Sequence, residues 1–196
     1  MSRFLRNALI GGLIVGFVAS CGGGSSKAPR NLDNACSIIK QRPKIHRAMK
    51  KTQRKWGVPV HVQMAVIHQE SKFIPDARTP VKYVLGVLPM GRASSAYGYA
   101  QALDATWKEY QRAEGGRGAE RTDIRDATDF MGWYMTETRE VTGLPLSDAR
   151  GQYLAYHEGR TGYLRGSYRN KSWLMRVAGD VEQRSYRYRV QLQNCR

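Results

Sequence analysis

The chain of 196 residues carries 32 lysines and arginines against 16 acidic residues, a formal net charge of +16, with 41% hydrophobic and 24% charged residues. This balance excludes wholesale disorder and leaves room for one domain of ordinary size, with little room for a second. The excess positive charge predicts attraction to polyanions. Nucleic acid is not the expected partner, because the sequence has no zinc-finger spacing, basic zipper or aromatic RNA-binding motif.

The first part of the chain has the pattern of an export signal. Arg3 and Arg6 precede an apolar run at residues 8–18 that is too short for a comfortable membrane span. The run leads into a Val-Ala-Ser-Cys sequence ending at Cys21, which resembles the lipobox of bacterial lipoproteins. We therefore expect residues 1–20 to be a lipoprotein signal peptide and Cys21 to be lipidated as the mature N-terminus. An uncleaved signal anchor is the alternative, and both predict an exported domain.

Residues 21–35 predict a flexible tether, because glycines and serines follow Cys21 and no periodic apolar pattern is present. Gly22 stands where many enterobacterial-type lipoproteins carry an Asp that favours retention in the inner membrane. We therefore expect a lipoprotein of the bacterial cell envelope that faces the periplasm, in the outer membrane rather than the inner. The globular domain is expected over residues 36–196.

Apolar residues at helical spacing predict a mainly α domain. Residues 37–56 indicate an amphipathic helix that breaks or restarts at Pro43. A second amphipathic helix follows a cap at Thr122, and a last one begins at Ser172 and ends before Cys195. Between residues 73 and 90, prolines and a glycine exclude long regular structure, so a loop or small hairpin with a short strand is expected.

A lone carboxylate closes the most apolar helical pattern, at residues 60–71. Pro59 precedes this pattern, where its fixed φ and missing N–H suit a helix start. Glu70 falls near the C-terminal end, where the helix dipole disfavours a carboxylate and partial burial would raise its pKa further. Both effects favour a protonated acid near neutral pH, which a general acid needs to protonate a leaving-group oxygen. The alternative for Glu70 is an ordinary surface residue at a helix end.

Three short motifs occur in order along the chain: Glu70-Ser71, then Ser-Ala-Tyr-Gly-Tyr-Ala-Gln at residues 95–101, then Tyr-His-Glu-Gly at residues 156–159. This trio resembles the soluble lytic transglycosylase (SLT) domain of the lysozyme-like superfamily. There a Glu-Ser pair precedes a Ser/Ala-x-Gly-x-x-Gln stretch and a Tyr-Asn-x-Gly stretch. The resemblance covers roughly residues 57–162 and implies a mainly α, α+β lysozyme-like fold in a single globular domain.

The resemblance also implies a role for each matching residue. Glu70 would be the catalytic residue. The positions that would bind or orient substrate are Ser71, Ser95, Gly98, Tyr99, Gln101, Tyr156 and His157. Gln101 would bond to sugar or backbone, and the Tyr156 hydroxyl is expected near Glu70. His157 departs from the Asn that the family commonly has and adds a group that can charge at mildly acidic pH.

The activity that the resemblance implies is peptidoglycan lytic transglycosylation on glycan strands. Glu70 would protonate the oxygen of the β-1,4 bond between N-acetylmuramic acid and N-acetylglucosamine. It would then take the proton from the C6 hydroxyl, which closes on the anomeric carbon as a 1,6-anhydro product. No cofactor is needed. No metal is expected either, because the four histidines form no His-Glu-x-x-His pattern.

The chain has three cysteines. With Cys21 lipidated, Cys36 and Cys195 remain as a pair in an oxidising compartment, where a disulfide would join the first helix to the end of the chain. Two buried free thiols are the alternative.

Three other functions stay open from the sequence. A lysozyme-type hydrolase on the same fold would use Asp76 or Asp104 as its second carboxylate. A non-catalytic lipoprotein would only bind peptidoglycan, although a binder has no need of the acid in the Glu-Ser pair. A basic module for nucleic acid or acidic lipid would bind in a salt-sensitive way that does not depend on Glu70.

Overall fold

The computed structural model describes residues 27–85 and 87–195. The elements in these ranges are α1 (Ala35–Gln41), α2 (Pro43–Trp56), α3 (Val60–Ser71), β1 (Val81–Val84), β2 (Leu88–Arg92), α4 (Asp104–Tyr110), α5 (Ile124–Thr142), α6 (Ala149–Leu164) and α7 (Ser172–Gln193). The predicted mainly α domain is confirmed. None of the described helices combines the length and the apolar character needed to cross a membrane.

α3 is the central helix. Pro59 precedes it in an extended conformation, and the Val60 N–H finds an acceptor in Gln53 Oε1 at 2.9 Å. Most of its side chains are buried, because α7, α6 and α2 pack around it. The bounds predicted for this helix are the observed ones. Glu70 is therefore the penultimate residue of a helix that is covered on almost every side.

α5 packs along α2, and together they support the central helix. Gly132 makes the close approach possible, since a Cβ at this position would lie 2.3 Å from the Trp56 ring. The Trp56 indole donates to Asp129 Oδ1 at 2.9 Å. The prediction of Thr122 as the cap of α5 is wrong: Asp123 directly precedes the first helical residue, and its carboxylate accepts from the Arg125 N–H at 2.7 Å.

The segment before α1 is packed on α7 and is part of the folded body. Pro29 is buried, the Tyr188 hydroxyl donates to the Leu32 carbonyl oxygen, and Asp33 pairs with Arg184 at 2.5 Å. Residues 27–35 therefore do not behave as a free tether, and the body begins before the predicted boundary at residue 36. The local sequence pattern did not show this, because the contacts are with α7, a helix far along the chain.

Cys36 and Cys195 form the predicted disulfide, which ties α1 to the end of α7. The predicted signal peptide at residues 1–20 and the predicted lipidation site at Cys21 lie outside the described residues.

The segment between α3 and α4 contains an antiparallel hairpin of β1 and β2, with Val84 opposite Leu88. The sequence predicted either a loop or a small hairpin in this segment, and the structure has the hairpin.

Candidate active site

The backbone beyond Glu70 is strained. α3 ends at Ser71, and the next two residues, Lys72 and Phe73, both adopt left-handed conformations with φ of 54° and 62°. Positive φ is uncommon for residues other than glycine, so two in succession need surrounding packing to hold them. Phe73 supplies it with a buried side chain. Strain of this kind tends to cluster at functional sites.

The Glu70 carboxyl is a weak acid with a pKa close to neutral. Its side chain keeps some surface open to solvent, but the atoms packed around the carboxyl remove most of its hydration. Burial raises its pKa from 4.5 to about 7, while a hydrogen bond from Tyr153 and the charge of Lys72 act in the opposite direction. The predicted rise is confirmed. Near neutral pH, Glu70 can therefore donate a proton and then accept one.

Two tyrosines on one face of α6 border this carboxyl. Tyr153 lies within hydrogen-bonding reach of Glu70, and burial raises the pKa of its hydroxyl. Tyr156 lies close enough for the charge of Glu70 to add to the rise that burial causes in its own pKa. Its hydroxyl donates to the Ala100 carbonyl oxygen at 2.5 Å. Both hydroxyls therefore remain protonated donors at neutral pH.

Tyr153 was not among the predicted site residues. The available signal was its spacing, because residues three apart share a helix face and Tyr153 stands three before Tyr156. Lys72, whose charge also acts on Glu70, was missed as well.

The segment around Gly98 is fixed by contacts with the backbone of Ala77 and Arg121 and by one bond from α6. Gly98 has φ of +80°, and a Cβ there would lie 2.1 Å from the Arg121 carbonyl oxygen, so another residue does not fit. Gln101 donates through Nε2 to the carbonyl oxygens of Ala77, at 2.8 Å, and of Gly98, at 2.9 Å. Gln101 therefore holds backbone, which is one of its two predicted roles. The bond from Tyr156 to the neighbouring Ala100 joins this segment to the face of α6 that borders Glu70.

The two predicted serines have other partners. The buried Ser71 hydroxyl donates to the Ile67 carbonyl oxygen at 3.2 Å, within α3. The exposed Ser95 hydroxyl accepts from the Asp104 N–H at 3.1 Å, at the start of α4. Each hydroxyl therefore serves a helix end, and a contact of either with substrate stays a prediction.

Tyr99 and His157 also face surroundings other than Glu70. Tyr99 lines a cavity beside basic side chains of α2, including Lys44 and Arg47. His157 Nδ1 lies 3.0 Å from Glu158 Oε1, and its ring packs edge-on against Trp173. No contact between Glu70 and either ring occurs among the described hydrogen bonds and ring contacts. Their roles in substrate binding stay predictions.

The surroundings of Glu70 contrast with those of the other candidate carboxylates. Asp104 pairs with Arg121 at 2.8 Å and its side chain is 57% exposed, and Asp76 is exposed. Of the described Asp and Glu residues, none is among the groups that shift the pKa of Glu70. The described residues also contain no cluster of three or more His, Cys, Asp or Glu side chains fit to hold a metal ion.

Comparison with known proteins assigns the family. The family model described as Transglycosylase SLT domain matches residues 9–195, which is nearly the whole chain. A comparison with curated proteins finds no significant match. The match includes the Glu70-Ser71 pair, the Gly98 segment and the tyrosines of α6. The chain therefore belongs to the transglycosylase SLT domain family.

Proposed function

We propose that this protein is a peptidoglycan lytic transglycosylase that cleaves the β-1,4 bond between N-acetylmuramic acid and N-acetylglucosamine and leaves a 1,6-anhydro end. Family membership supports the substrate class and the type of activity. One observation carries the finer proposal: Glu70 has a pKa of about 7 beside two tyrosine hydroxyls, and no carboxylate partner acts on it among the described residues.

The first step is general acid catalysis by Glu70. Its protonated carboxyl gives the proton to the glycosidic oxygen, and the bond to the anomeric carbon breaks as positive charge develops on the sugar. The muramoyl N-acetyl group helps to stabilise that charge. Because burial disfavours the ionised form, Glu70 holds its proton at a pH where an ordinary glutamate has lost it. The hydrogen bond from Tyr153 then stabilises the carboxylate that the step leaves behind.

The second step uses the same carboxyl as a base. Glu70 takes the proton from the C6 hydroxyl of the muramoyl residue, and the C6 oxygen closes on the anomeric carbon. The proton returns to Glu70, so the enzyme is restored without water. The Tyr156 hydroxyl donates to the Ala100 carbonyl oxygen. Tyr156 therefore supports this step indirectly, because it keeps the Ala100 segment against α6.

A hydrolase of the lysozyme type receives less support. Such an enzyme needs a second carboxylate across the scissile bond. The two candidates, Asp76 and Asp104, are exposed, and Asp104 is paired with Arg121. A protein that only binds peptidoglycan would gain nothing from an acid whose burial costs folding stability at neutral pH. Both alternatives are distinguished by the product.

We also propose that the protein acts in the bacterial cell envelope, anchored to a membrane through a lipid on Cys21 and facing the periplasm. The lipobox-like sequence and the apolar run at residues 8–18 support this.

Mass spectrometry of purified peptidoglycan treated with the purified chain tests the proposal. We expect anhydromuropeptides from the wild type and none above background from Glu70→Gln. Glu137→Gln is the matched control, because it makes the same change at an exposed position of α5 and should leave activity unaltered. Reducing ends in place of anhydro ends would refute the lyase and indicate a hydrolase. Retained binding to peptidoglycan with no turnover would indicate a binding protein.

A further inference from the structure

The tip of the β1–β2 hairpin is an exposed apolar surface. The large side chains there are between 43% and 88% exposed, and they are those of Tyr83, Val84, Leu85, Val87, Leu88 and Met90. Leu85 is the most exposed of them, and its φ of 53° is one that side-chain-bearing residues seldom adopt. Contiguous exposed apolar patches mark sites of interaction with proteins, membranes or ligands.

The hairpin stands apart from the helical body. β1 and β2 pair with each other, and neither strand packs substantially on any described helix. All five residues of β2 and three of the four in β1 are exposed, so both faces of the two-stranded sheet are uncovered. A partner that covers this tip must therefore contact both faces of the sheet and not only one.

Basic residues frame the apolar tip. The sequence from residue 83 to residue 91 has no charged side chain, while Lys82 and Arg92 stand at its two ends. At the root of the hairpin, the Arg78 guanidinium lies 3.7 Å from the centre of the Tyr97 ring. An apolar end with a basic rim matches the boundary between lipid acyl chains and anionic headgroups.

Lys27, where the described chain begins, is connected through Arg42 and Tyr99 to the residues next to the hairpin. The Lys27 carbonyl oxygen accepts from Arg42 Nη2 at 3.0 Å, and Arg42 lies close enough to Tyr99 to act on it electrostatically. Tyr99 follows Gly98, whose N–H donates to the carbonyl oxygen of Ala77. Ala77 directly precedes Arg78, the residue at the root of the hairpin. Eight residues separate Lys27 from the apolar run that ends at residue 18. The nine steps of chain from residue 18 to Lys27 can therefore bridge at most about 32 Å.

We propose that the hairpin tip inserts into the interface of an anionic lipid bilayer, as a second membrane contact that rests on the proposed anchoring through Cys21. The aliphatic tip offers no side-chain hydrogen bonds to a glycan apart from the Tyr83 hydroxyl, which argues against peptidoglycan as the occupant. A bilayer can surround both faces of a narrow hairpin, and the excess of basic over acidic residues favours an anionic bilayer. The domain would then sit on the membrane in a fixed orientation.

Quenching by brominated lipids tests the insertion in the full chain. Leu85→Trp adds an indole at the tip, and Val141→Trp adds one at a position of α5 that is 52% exposed. Each variant is reconstituted in phosphatidylglycerol-containing vesicles whose acyl chains carry bromines near the headgroup, and the wild-type emission is subtracted. We expect the added indole at position 85 to lose about half of its emission or more, because insertion of about 5–10 Å reaches the bromines. The indole at position 141 should be unaffected.

Two further variants on the Leu85→Trp background define the cause. Lys82→Glu should reduce the quenching in anionic vesicles and leave it unchanged in phosphatidylcholine vesicles. Glu70→Gln should quench as Leu85→Trp alone does, because insertion does not depend on the proposed catalysis. Equal quenching at positions 85 and 141 would overturn the proposal, as would no quenching at position 85. The latter result would leave a protein as the occupant of the tip.

Discussion

Replacing Glu70 with glutamine should change the pH dependence of folding stability. A carboxyl whose pKa is raised in the folded state costs stability once the unfolded chain ionises. Below pH 4.5 Glu70 is protonated in both states, so this cost is absent. Between pH 4.5 and about 7 only the unfolded state ionises, and the wild type loses stability. Above that range both states are ionised and the loss is complete. The amide that Glu70→Gln introduces does not titrate, so the variant lacks this loss.

The size of the effect follows from the two pKa values. The interval between 4.5 and about 7 corresponds to about 3 kcal/mol at about 1.4 kcal/mol per pH unit. The free energy of unfolding of Glu70→Gln, minus that of the wild type, should therefore rise by about 3 kcal/mol from pH 4 to pH 8. Any constant difference in packing or hydrogen bonding between the two side chains cancels when only the change with pH is compared.

Urea unfolding monitored by circular dichroism, at half-unit pH intervals, measures this difference. Glu137→Gln on the exposed surface of α5 should give a nearly flat difference curve. A flat curve for Glu70→Gln would show that the carboxyl is hydrated in the folded protein, and the electrostatic basis for its role as an acid would fail. A difference that grows toward low pH would mean that its pKa is lowered instead.

Three further changes test separate parts of the site and fold. Tyr153→Phe removes a hydrogen bond that lowers the pKa of Glu70, so the alkaline limb of the kcat/KM profile should move to higher pH, and an unmoved limb would exclude that bond. Gly98→Ala should lose about 2–4 kcal/mol of stability in urea unfolding. Gly143→Ala should lose about 1 kcal/mol, because φ is also positive there but no atom opposes the Cβ, and equal losses would refute the clash. Reduction of the Cys36–Cys195 disulfide should cost at most about 5 kcal/mol in thermal unfolding with and without reductant, and no change would show that the bridge is absent.

The helices were predictable because their signals are local. The apolar pattern of α3 and the proline before it fall within one stretch of sequence, and they define both of its ends. The disulfide followed from cysteine number and compartment. The position of residues 27–34 was not predictable, because the partners of Leu32 and Asp33 lie on α7, more than 150 residues away. Such long-range contacts produce no hydrophobic periodicity in the sequence near the residues that make them.

The candidate site shows the same division between features with a local sequence signal and features that depend on tertiary packing. Glu70 and Tyr156 belong to motifs that can be matched in the sequence, and the structure brings them together. Ser95 and His157 belong to the same motifs but contact other groups, because a motif fixes residue types and not the direction of a side chain. Only the packing of α6 against α3 shows which motif residues face the carboxyl.

The pKa of Glu70 shows how far sequence reasoning reaches in this protein. Burial was expected to raise it, and burial is the largest cause of its rise to about 7. The opposing influences come from Lys72, two residues along the chain, and from Tyr153, which reaches Glu70 only because α6 crosses near the end of α3. The near-neutral pKa is thus a balance between burial, which disfavours the carboxylate, and two neighbours, which stabilise the carboxylate. Changes at Tyr153 should shift that balance without disturbing α3, whereas changes in the buried face of α3 should alter folding and pKa together.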